Sequence, residues 1–303
     1  MLCKPKYVRY AFIQSHSDVM AITTLCKTLG VSTSAYFRWI DNPIGKREAN
    51  NYDLDQAIIQ IFNDHKSRYG SVRVYRELKD KGWKVTQPRV SKRMRLLGLQ
   101  AKASKKYKVT TNSDHDKKVA DNLLDQDFDA QDINQKWVTD ITYIPTQEGW
   151  IYLCVVIDLF SRAVIGWSMD KRMKAELVCN ALNMALFRRD FPTGVIIHSD
   201  RGTQYCSEKF QNLIGDNLLL SSMSSKGCCY DNAACESFFG TLKVELVHDE
   251  KYKTRDEAKS SIFEYIEAYY NTKRKHSTIN YMTPSHFEYI MKNEVNNCPK
   301  LAG

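Results

Sequence analysis

Three runs of β-branched and aromatic residues follow one another closely between residues 136 and 170. They are KWVTDITYI (136–144), WIYLCVVIDL (150–159) and AVIGWSMD (163–170). Such residues fit the pleated, half-buried surface of a β-sheet. Because the segments EGW and FSR between them have the composition and length of turns, the three runs predict a meander of successive strands.

Helices and short strands alternate after this meander. Helical patterns cover residues 174–190 and 207–217, and strand-like runs cover residues 194–200 and 218–223. The segments NAACESFFGTLKVELV and RDEAKSSIFEYIEAYYN predict two more helices. The order β-β-β-α-β-α-β-α-α predicts an α/β domain with a ribonuclease-H-like mixed five-stranded sheet and helices on both of its sides.

The N-terminal region is predicted to be all-α, and residues 18–40 have the pattern of a helix-turn-helix. Gly30 is expected to end the first helix and allow a tight turn, and Ser32 or Thr33 is placed to cap the second helix. The residues expected to face inward are Ile22, Leu25 and Leu29 in the first helix and Tyr36, Trp39 and Ile40 in the second. An ordinary helical hairpin fits this window equally well.

Residues 53–98 predict three further helices, of which the third follows a short turn and is strongly basic. Thr86 is placed to cap this helix, Pro88 lies in its first turn and Gly98 ends it. The residues predicted to point outward and bind DNA are Arg89, Lys92, Arg93 and Arg95. A basic helix in this position suits the DNA major groove, and a merely solvated basic face is the alternative.

Charge is distributed unevenly along the chain. Residues 1–120 contain 24 Lys and Arg against 10 Asp and Glu, a net charge of +14, whereas residues 121–303 carry a net charge of −5. Such a bias favours a polyanionic partner. A membrane surface is the weaker alternative, because no amphipathic anchor accompanies the basic helices and no apolar run approaches the roughly 20 residues of a membrane span.

These patterns divide the chain into five predicted segments. They are a helix-turn-helix segment (1–50), a second helical DNA-binding domain (51–110), a linker (111–133), the ribonuclease-H-like core (134–290) and a C-terminal tail (291–303). The N-terminus lacks the apolar stretch of a signal peptide, which predicts a cytoplasmic protein. None of the nine cysteines forms a C-x-x-C pair, so a zinc ribbon is not predicted.

Three acidic residues occupy informative positions in the predicted core. Asp140 lies within the first strand, Asp200 ends the fourth, and Glu236 lies on the helix that begins NAACES. Strands one and four are neighbours in this topology and the helix packs across their ends, so the three carboxylates are expected to meet. Taken singly, an acid is more often a cap or a surface charge, as Asp158 and Asp231 illustrate.

Three carboxylates at one place repel one another strongly. At an effective dielectric constant of about 20 and a separation of ~4 Å, each pair costs about 4 kcal/mol. Protons or cations must therefore intervene, and oxygen ligands without His or Cys favour Mg²⁺ or Mn²⁺. Two such ions roughly 3.5–4 Å apart can clamp the attacking and leaving oxygens of a phosphodiester.

Five segments occur in one fixed order: QKWVTDITYI, GWIYLCVVIDLFSRAVIGWSM, HSDRGTQYCS, SMSSKGCCYDNAACESFFGTLK and YIEAYYNTKRKHS. In sequence and spacing they resemble the catalytic core shared by retroviral integrases and bacterial Asp-Asp-Glu transposases. The closer resemblance is to the transposase B protein of the insertion sequence three family. It extends upstream through SRYGSVRVYREL and RVSKRMRLLGLQAK, and thus over nearly the whole chain.

The resemblance implies roles for four residues. Asp140, Asp200 and Glu236 match the metal-binding triad of the family, which takes two Mg²⁺ or Mn²⁺ ions. Lys243 matches the basic residue seven positions after the glutamate. Because seven residues make about two helical turns, Lys243 and Glu236 share a face, where the ammonium group can hold a DNA phosphate.

The resemblance further implies a DNA transposase that hydrolyses a strand at the end of an insertion sequence and directs the freed 3′-OH against another phosphodiester. It implies a circular DNA intermediate and a transposase A protein as partner, often joined to this chain by a ribosomal frameshift. Pairing two DNA ends favours a homo-oligomer, and the expected location is the bacterial cytoplasm at the nucleoid.

Two other functions remain open from the sequence. A ribonuclease of the same fold would cut RNA in hybrids, and the long basic helical region argues against it. A transcription regulator would use the helix-turn-helix segments alone, and the three acids argue against it.

Overall fold

The computed structural model describes residues 6–41, 46–102, 120–224 and 232–297. The chain forms two compact units, Met1–Ala101 and Lys102–Gly303. The helices of the first unit are α1 (Lys6–Ser15), α2 (Ile22–Thr28), α3 (Thr33–Asp41), α4 (Lys46–Asp64), α5 (Ser71–Asp80) and α6 (Gln87–Leu96).

The two helices predicted within residues 18–40 are present as α2 and α3. Gly30 follows α2 with a φ of 63°, in the left-handed region that favours glycine. Ser32 Oγ accepts a hydrogen bond of 3.1 Å from the backbone N–H of Ala35 and so caps α3. Tyr36 is buried, but the prediction that Ile40 faces inward is wrong, because Ile40 lies in the last turn of α3 and is 38% exposed.

Helices α4 to α6 enclose a separate apolar cluster. Its buried members are Leu54, Ile58, Ile61, Phe62, Tyr69, Val74, Leu78, Val90 and Met94. Helix α4 is continuous from Lys46 to Asp64 and therefore crosses the predicted boundary after residue 50.

The second unit contains the predicted mixed sheet. Its strands are β1 (Lys136–Thr146), β2 (Gly149–Asp158), β3 (Val164–Asp170), β4 (Ile196–Ser199) and β5 (Leu220–Met223). The order is β3-β2-β1-β4-β5. The meander β1-β2-β3 is antiparallel, whereas β4 runs parallel to both β1 and β5. This topology confirms the predicted ribonuclease-H-like fold.

Helices cover both faces of this sheet, as predicted. They are α7 (Ala175–Arg188), α8 (Glu208–Asp216), α9 (Ala233–Glu245) and α10 (Arg255–Phe263), and a further helix, α11 (Pro284–Asn297), follows them in the chain. Buried residues of α7 and α8 pack on one face of the sheet, and those of α9 and α10 pack on the other. Helix α11 crosses the predicted boundary between core and tail at residue 290.

The register of β4 on β1 positions the candidate site. Strand β4 pairs with only three residues of β1, and the last pair is Val138 with His198. Two residues further along both strands, Asp200 comes level with Asp140. Among the residues that the structure describes, no strand pairs with that side of β1 from residue 140 onward, and this stretch is termed the free edge of β1.

The described part of the predicted linker is packed on the core and is not an extended connection. Residues 111–119 lie outside the described residues, but residues 120–133 pack within the second unit, against its core. Leu124 is 1% exposed within the core, and Ser222 Oγ accepts a hydrogen bond of 2.9 Å from the backbone N–H of Leu123. Leu124, with the partly buried Phe128 and Ala130, and backbone hydrogen bonds thus hold a mostly polar segment on the core.

Within the described residues, none of the helices has the length and apolar character required to cross a membrane.

Candidate active site

The three predicted acids lie on three separate elements of the second unit. Asp140 projects from β1 where β4 no longer covers that strand, and its Oδ1 accepts a hydrogen bond of 2.7 Å from the backbone N–H of Ile141. Asp200 directly follows β4, and its Oδ1 accepts a hydrogen bond of 2.8 Å from the backbone N–H of Gly202. Glu236 is exposed near the start of α9.

Glycine at position 202 leaves room for the Asp200 carboxylate. A Cβ atom at Gly202 would lie 2.9 Å from Asp200 Oδ1 and 3.0 Å from Gln204 Oε1. Both distances are too short for ordinary van der Waals contact. A side chain at this position would push the Asp200 carboxylate or the Gln204 amide aside, so glycine lets the backbone N–H bind Asp200 without displacing either group.

Asn232 attaches the start of α9 to β1. Its Nδ2 donates a hydrogen bond of 3.3 Å to the backbone carbonyl of Thr139, the residue next to Asp140. Asn232 is buried and lies four residues, about one helical turn, before Glu236. Asn232 was not predicted from the sequence, although its position one turn before Glu236 indicates that both lie at the start of the same helix.

A buried ion pair holds the other end of α9. Glu245 accepts hydrogen bonds from Arg274 Nη2 at 2.8 Å and Nε at 2.9 Å, and from the Tyr265 hydroxyl at 2.9 Å. The side chains of Glu245 and Arg274 are each only 5% exposed. Sequence reasoning missed this pair as well, because its members lie 29 residues apart.

The pKa of Asp140 reflects the negative charges of the other two acids. Burial, followed by the negative charges of Asp200 and Glu236, raises the pKa of Asp140 to about 8. The backbone N–H of Ile141 and the positive charge of Lys243 oppose this rise. A neutral Asp140 is thus favoured until a cation compensates the crowding of negative charge.

Lys243 on α9 interacts electrostatically with Asp140. Its Nζ is 5.3 Å from the centroid of the Tyr143 ring. Burial lowers the pKa of Lys243, whereas Tyr143 and Asp140 act in the opposite direction. The ammonium group is therefore near the Tyr143 ring and close enough to Asp140 for the two charges to interact.

The donor chemistry of this site fits a hard divalent cation. Asp140, Asp200 and Glu236 offer oxygen atoms alone, which is the ligand type of Mg²⁺ and Mn²⁺. Across residues 6–41, 46–102, 120–224 and 232–297, no three His, Cys, Asp or Glu side chains are close enough to enclose a metal ion. The acids are within electrostatic range of one another without being gathered around one point.

Metal binding at this site is expected to strengthen as the pH rises. With a pKa of about 8, Asp140 is largely protonated at pH 6.5 and largely ionised at pH 9. Because a proton competes with the cation, Mg²⁺ should bind more tightly at pH 9 and release a proton on binding at pH 6.5. Calorimetric titration in buffers of different ionisation enthalpy measures both quantities.

Asp140→Asn is the control for that titration, since it removes the titrating group without changing the size of the side chain. Proton release should then disappear. Equal Mg²⁺ affinities of the unmodified protein at the two pH values would contradict the expectation.

The four basic residues of α6 do not share one environment. Arg89, Lys92 and Arg95 are exposed, as predicted. Arg93 differs, because its guanidinium group forms a two-pronged ion pair with Asp55 on α4 and is 22% exposed. Arg93 therefore ties α6 to α4 rather than standing outward.

Models of known protein families match three parts of the chain. A model described as an integrase core domain matches residues 130–229, and a second model with the same description matches residues 236–290. A model described as an HTH-like domain matches residues 49–107. Together these matches cover both units.

Several curated proteins are similar over nearly their whole length. Transposase InsF for insertion sequence IS3A of Escherichia coli strain K12 is 45% identical over 93% of this chain and 98% of its own length. A 31 kDa protein of insertion element IS600 from Shigella sonnei is 40% identical over 87% of this chain and 97% of its own length.

Solved structures of integrases are more distant. A simian T-cell lymphotropic virus intasome in complex with the PP2A regulatory subunit B56 gamma has 14% identity and a TM-score of 0.43, covering 82% of this chain and 76% of its own. The HTLV-2 integrase catalytic core domain in complex with magnesium has 19% identity and a TM-score of 0.40, covering 51% and 96%.

Proposed function

Because this chain belongs to the IS3 family of insertion-sequence transposases, we propose that it cleaves and joins DNA strands at an Asp-Asp-Glu site. The site cuts a strand at the end of the element and directs the freed 3′-OH against a second phosphodiester. The observation that carries this proposal is the register of β4 on β1, which brings Asp140 level with Asp200, together with the Asn232 hydrogen bond that attaches the start of α9 next to Asp140.

Asp140, Asp200 and Glu236 are the residues that would hold Mg²⁺ or Mn²⁺, with two ions per site. When bound, the ions activate the attacking oxygen and stabilise the charge on the leaving oxygen. The loop hydrogen bond from Gly202 orients Asp200, and the hydrogen bond from Asn232 attaches the start of α9, which carries Glu236, to the strand that carries Asp140. Hydrolysis and joining are both displacements at phosphorus, so the same acids serve both steps.

The first unit supplies the main DNA-binding surface in this proposal. The exposed Lys92 and Arg95 of α6 bind the DNA backbone or enter the major groove. Two copies of the chain hold the two ends of the element, and the transposase A protein or its frameshift fusion is the partner. The protein acts in the bacterial cytoplasm at the nucleoid.

Lys243→Ala is expected to lower strand joining by roughly 10-fold, equivalent to about 1.4 kcal/mol of activation free energy. DNA affinity should fall by less than about 3-fold, since a single phosphate contact among many is lost. Lys243→Arg should retain part of the activity. Joining and binding are measured for both variants and for Lys251→Ala, which lies beyond α9; equal, small effects at both positions would leave Lys243 without a role.

The proposed function is tested with purified full-length protein, labelled element-end DNA and Mg²⁺. We expect strand cleavage and joined products that EDTA abolishes. Sequence-specific binding with no cleavage in Mg²⁺ or Mn²⁺ would favour the regulator, and cleavage of RNA–DNA hybrids in place of element ends would favour the ribonuclease.

A further inference from the structure

Two large aromatic side chains lie exposed on the hairpin formed by β1 and β2. Tyr143 is 38% exposed and Trp150 is 50% exposed. Trp150 pairs with Pro145 across the hairpin, so its side chain lies on the same face as that of Tyr143. The ring centroids are 4.9 Å apart and the ring planes meet at 84°, an edge-to-face contact.

This aromatic pair lies beside the candidate active site. Tyr143 follows Asp140 by three residues on the same strand, which is about 10 Å along β1. Neighbouring residues of a strand point to opposite faces, so the Tyr143 ring lies on the face of β1 opposite to the Asp140 side chain. Lys243 relates the two groups, because its Nζ is 5.3 Å from the Tyr143 ring and its charge acts on Asp140.

The backbone of the hairpin is fixed from outside. Arg255 Nε donates a hydrogen bond of 3.1 Å to the Trp150 carbonyl, and the Arg255 backbone N–H donates one of 2.9 Å to Glu148 Oε2. Thr146 Oγ1 donates a further hydrogen bond of 2.6 Å to the Gly149 carbonyl. A platform held in this way loses little conformational entropy when it binds a flat ligand.

We propose that Tyr143 and Trp150 form a stacking site for one unpaired nucleobase of the DNA strand whose phosphodiester reacts. The proposal rests on the proposed function, because the acids must act on DNA for a nucleotide to reach this edge. Lys243 binds a phosphate next to the reacting one, and the following base leaves the duplex and stacks on the exposed indole. Aromatic stacking accepts any base, so the site contributes to opening the DNA end and not to reading its sequence.

Fluorescence of 2-aminopurine tests the stacking directly. The base analogue is placed in turn at the positions flanking the cleaved phosphodiester of an element-end duplex. Binding of the full-length protein should change the fluorescence of the 2-aminopurine at one of these positions. Trp150→Ala should remove that change, and Trp150→Phe should retain most of it. Phe187→Ala is the matched control, since Phe187 is 78% exposed near the end of α7 and belongs to neither the hairpin nor the acids.

Strand joining on two substrates gives the second measurement. On fully paired ends, Trp150→Ala should join about 5-fold less DNA than the unmodified protein. On ends whose terminal base pairs are mismatched, the deficit should shrink to less than about 2-fold, because the cost of unpairing is already met.

The possible results separate the two claims. Absence of joining by the unmodified protein would overturn the proposed function. Normal joining by Trp150→Ala on paired ends, or an equal deficit on paired and mismatched ends, would overturn the stacking site while leaving that function intact.

Discussion

Asp200→Asn is expected to lower DNA cleavage and joining by about 100-fold or more, while the affinity for element-end DNA changes by less than about 2-fold. The amide keeps an oxygen that accepts the hydrogen bond of 2.8 Å from Gly202, so the loop after β4 should hold its shape. It lacks the negative charge that makes Asp200 a ligand for a divalent cation. Strand-transfer assays and binding titrations on the same protein preparation separate the two effects.

Asp216→Asn is a matched control for this substitution. Asp216 is exposed on α8 and lies within the same unit, but it has no place in the candidate site. Its replacement should leave cleavage, joining and binding unchanged. An Asp200→Asn protein that remains active in Mg²⁺ would remove Asp200 from the catalytic site.

Arg274→Met is expected to lower the free energy of unfolding by about 3–5 kcal/mol. The substitution leaves the buried carboxylate of Glu245 with the Tyr265 hydroxyl but without its cation. An unpaired charge in that environment costs several kcal/mol. Helix α9, which carries Glu236 and Lys243, would lose its anchor, so activity should fall at temperatures where the variant begins to unfold. Urea unfolding followed by circular dichroism measures the loss.

Removing both charges should cost less than removing one. The double variant Arg274→Met with Glu245→Gln leaves no buried charge, and we expect it to be more stable than Arg274→Met alone. Glu250→Ala, at an exposed position just after α9, should have little effect. If Arg274→Met were as stable as Glu250→Ala, the ion pair would have no part in holding α9.

Local patterns were sufficient to predict the sheet and the elements that carry the three acids. The β-branched runs specify the strands, and the chain order then leaves β1 and β4 as neighbours, which brings Asp140 level with Asp200. The helical periodicity of α9 places Lys243 seven residues after Glu236 on one face. These relations depend on residues close together in sequence or on simple rules of topology.

Contacts between distant residues could not be predicted in this way. In the sequence, Arg93 looks like its solvent-exposed basic neighbours on α6. Only the packing of α6 on α4 shows that its guanidinium group pairs with Asp55. The burial of Leu124 depends likewise on a residue almost a hundred positions away. Ser222 Oγ accepts hydrogen bonds from the backbone N–H groups of Leu123 and Leu124. A polar composition alone suggests a linker, whether or not the segment packs on the core.

The central claim is that Asp200 holds a catalytic divalent cation, and a change of metal preference tests it most directly. Asp200→Cys replaces a hard oxygen ligand by a thiolate, which Mn²⁺ accepts more readily than Mg²⁺. We predict that this variant binds element-end DNA normally, joins no strands in Mg²⁺, and recovers measurable joining in Mn²⁺. Joining in Mg²⁺ at the level of the unmodified protein, or a folded, DNA-bound variant that stays inactive in both metals, would contradict the account.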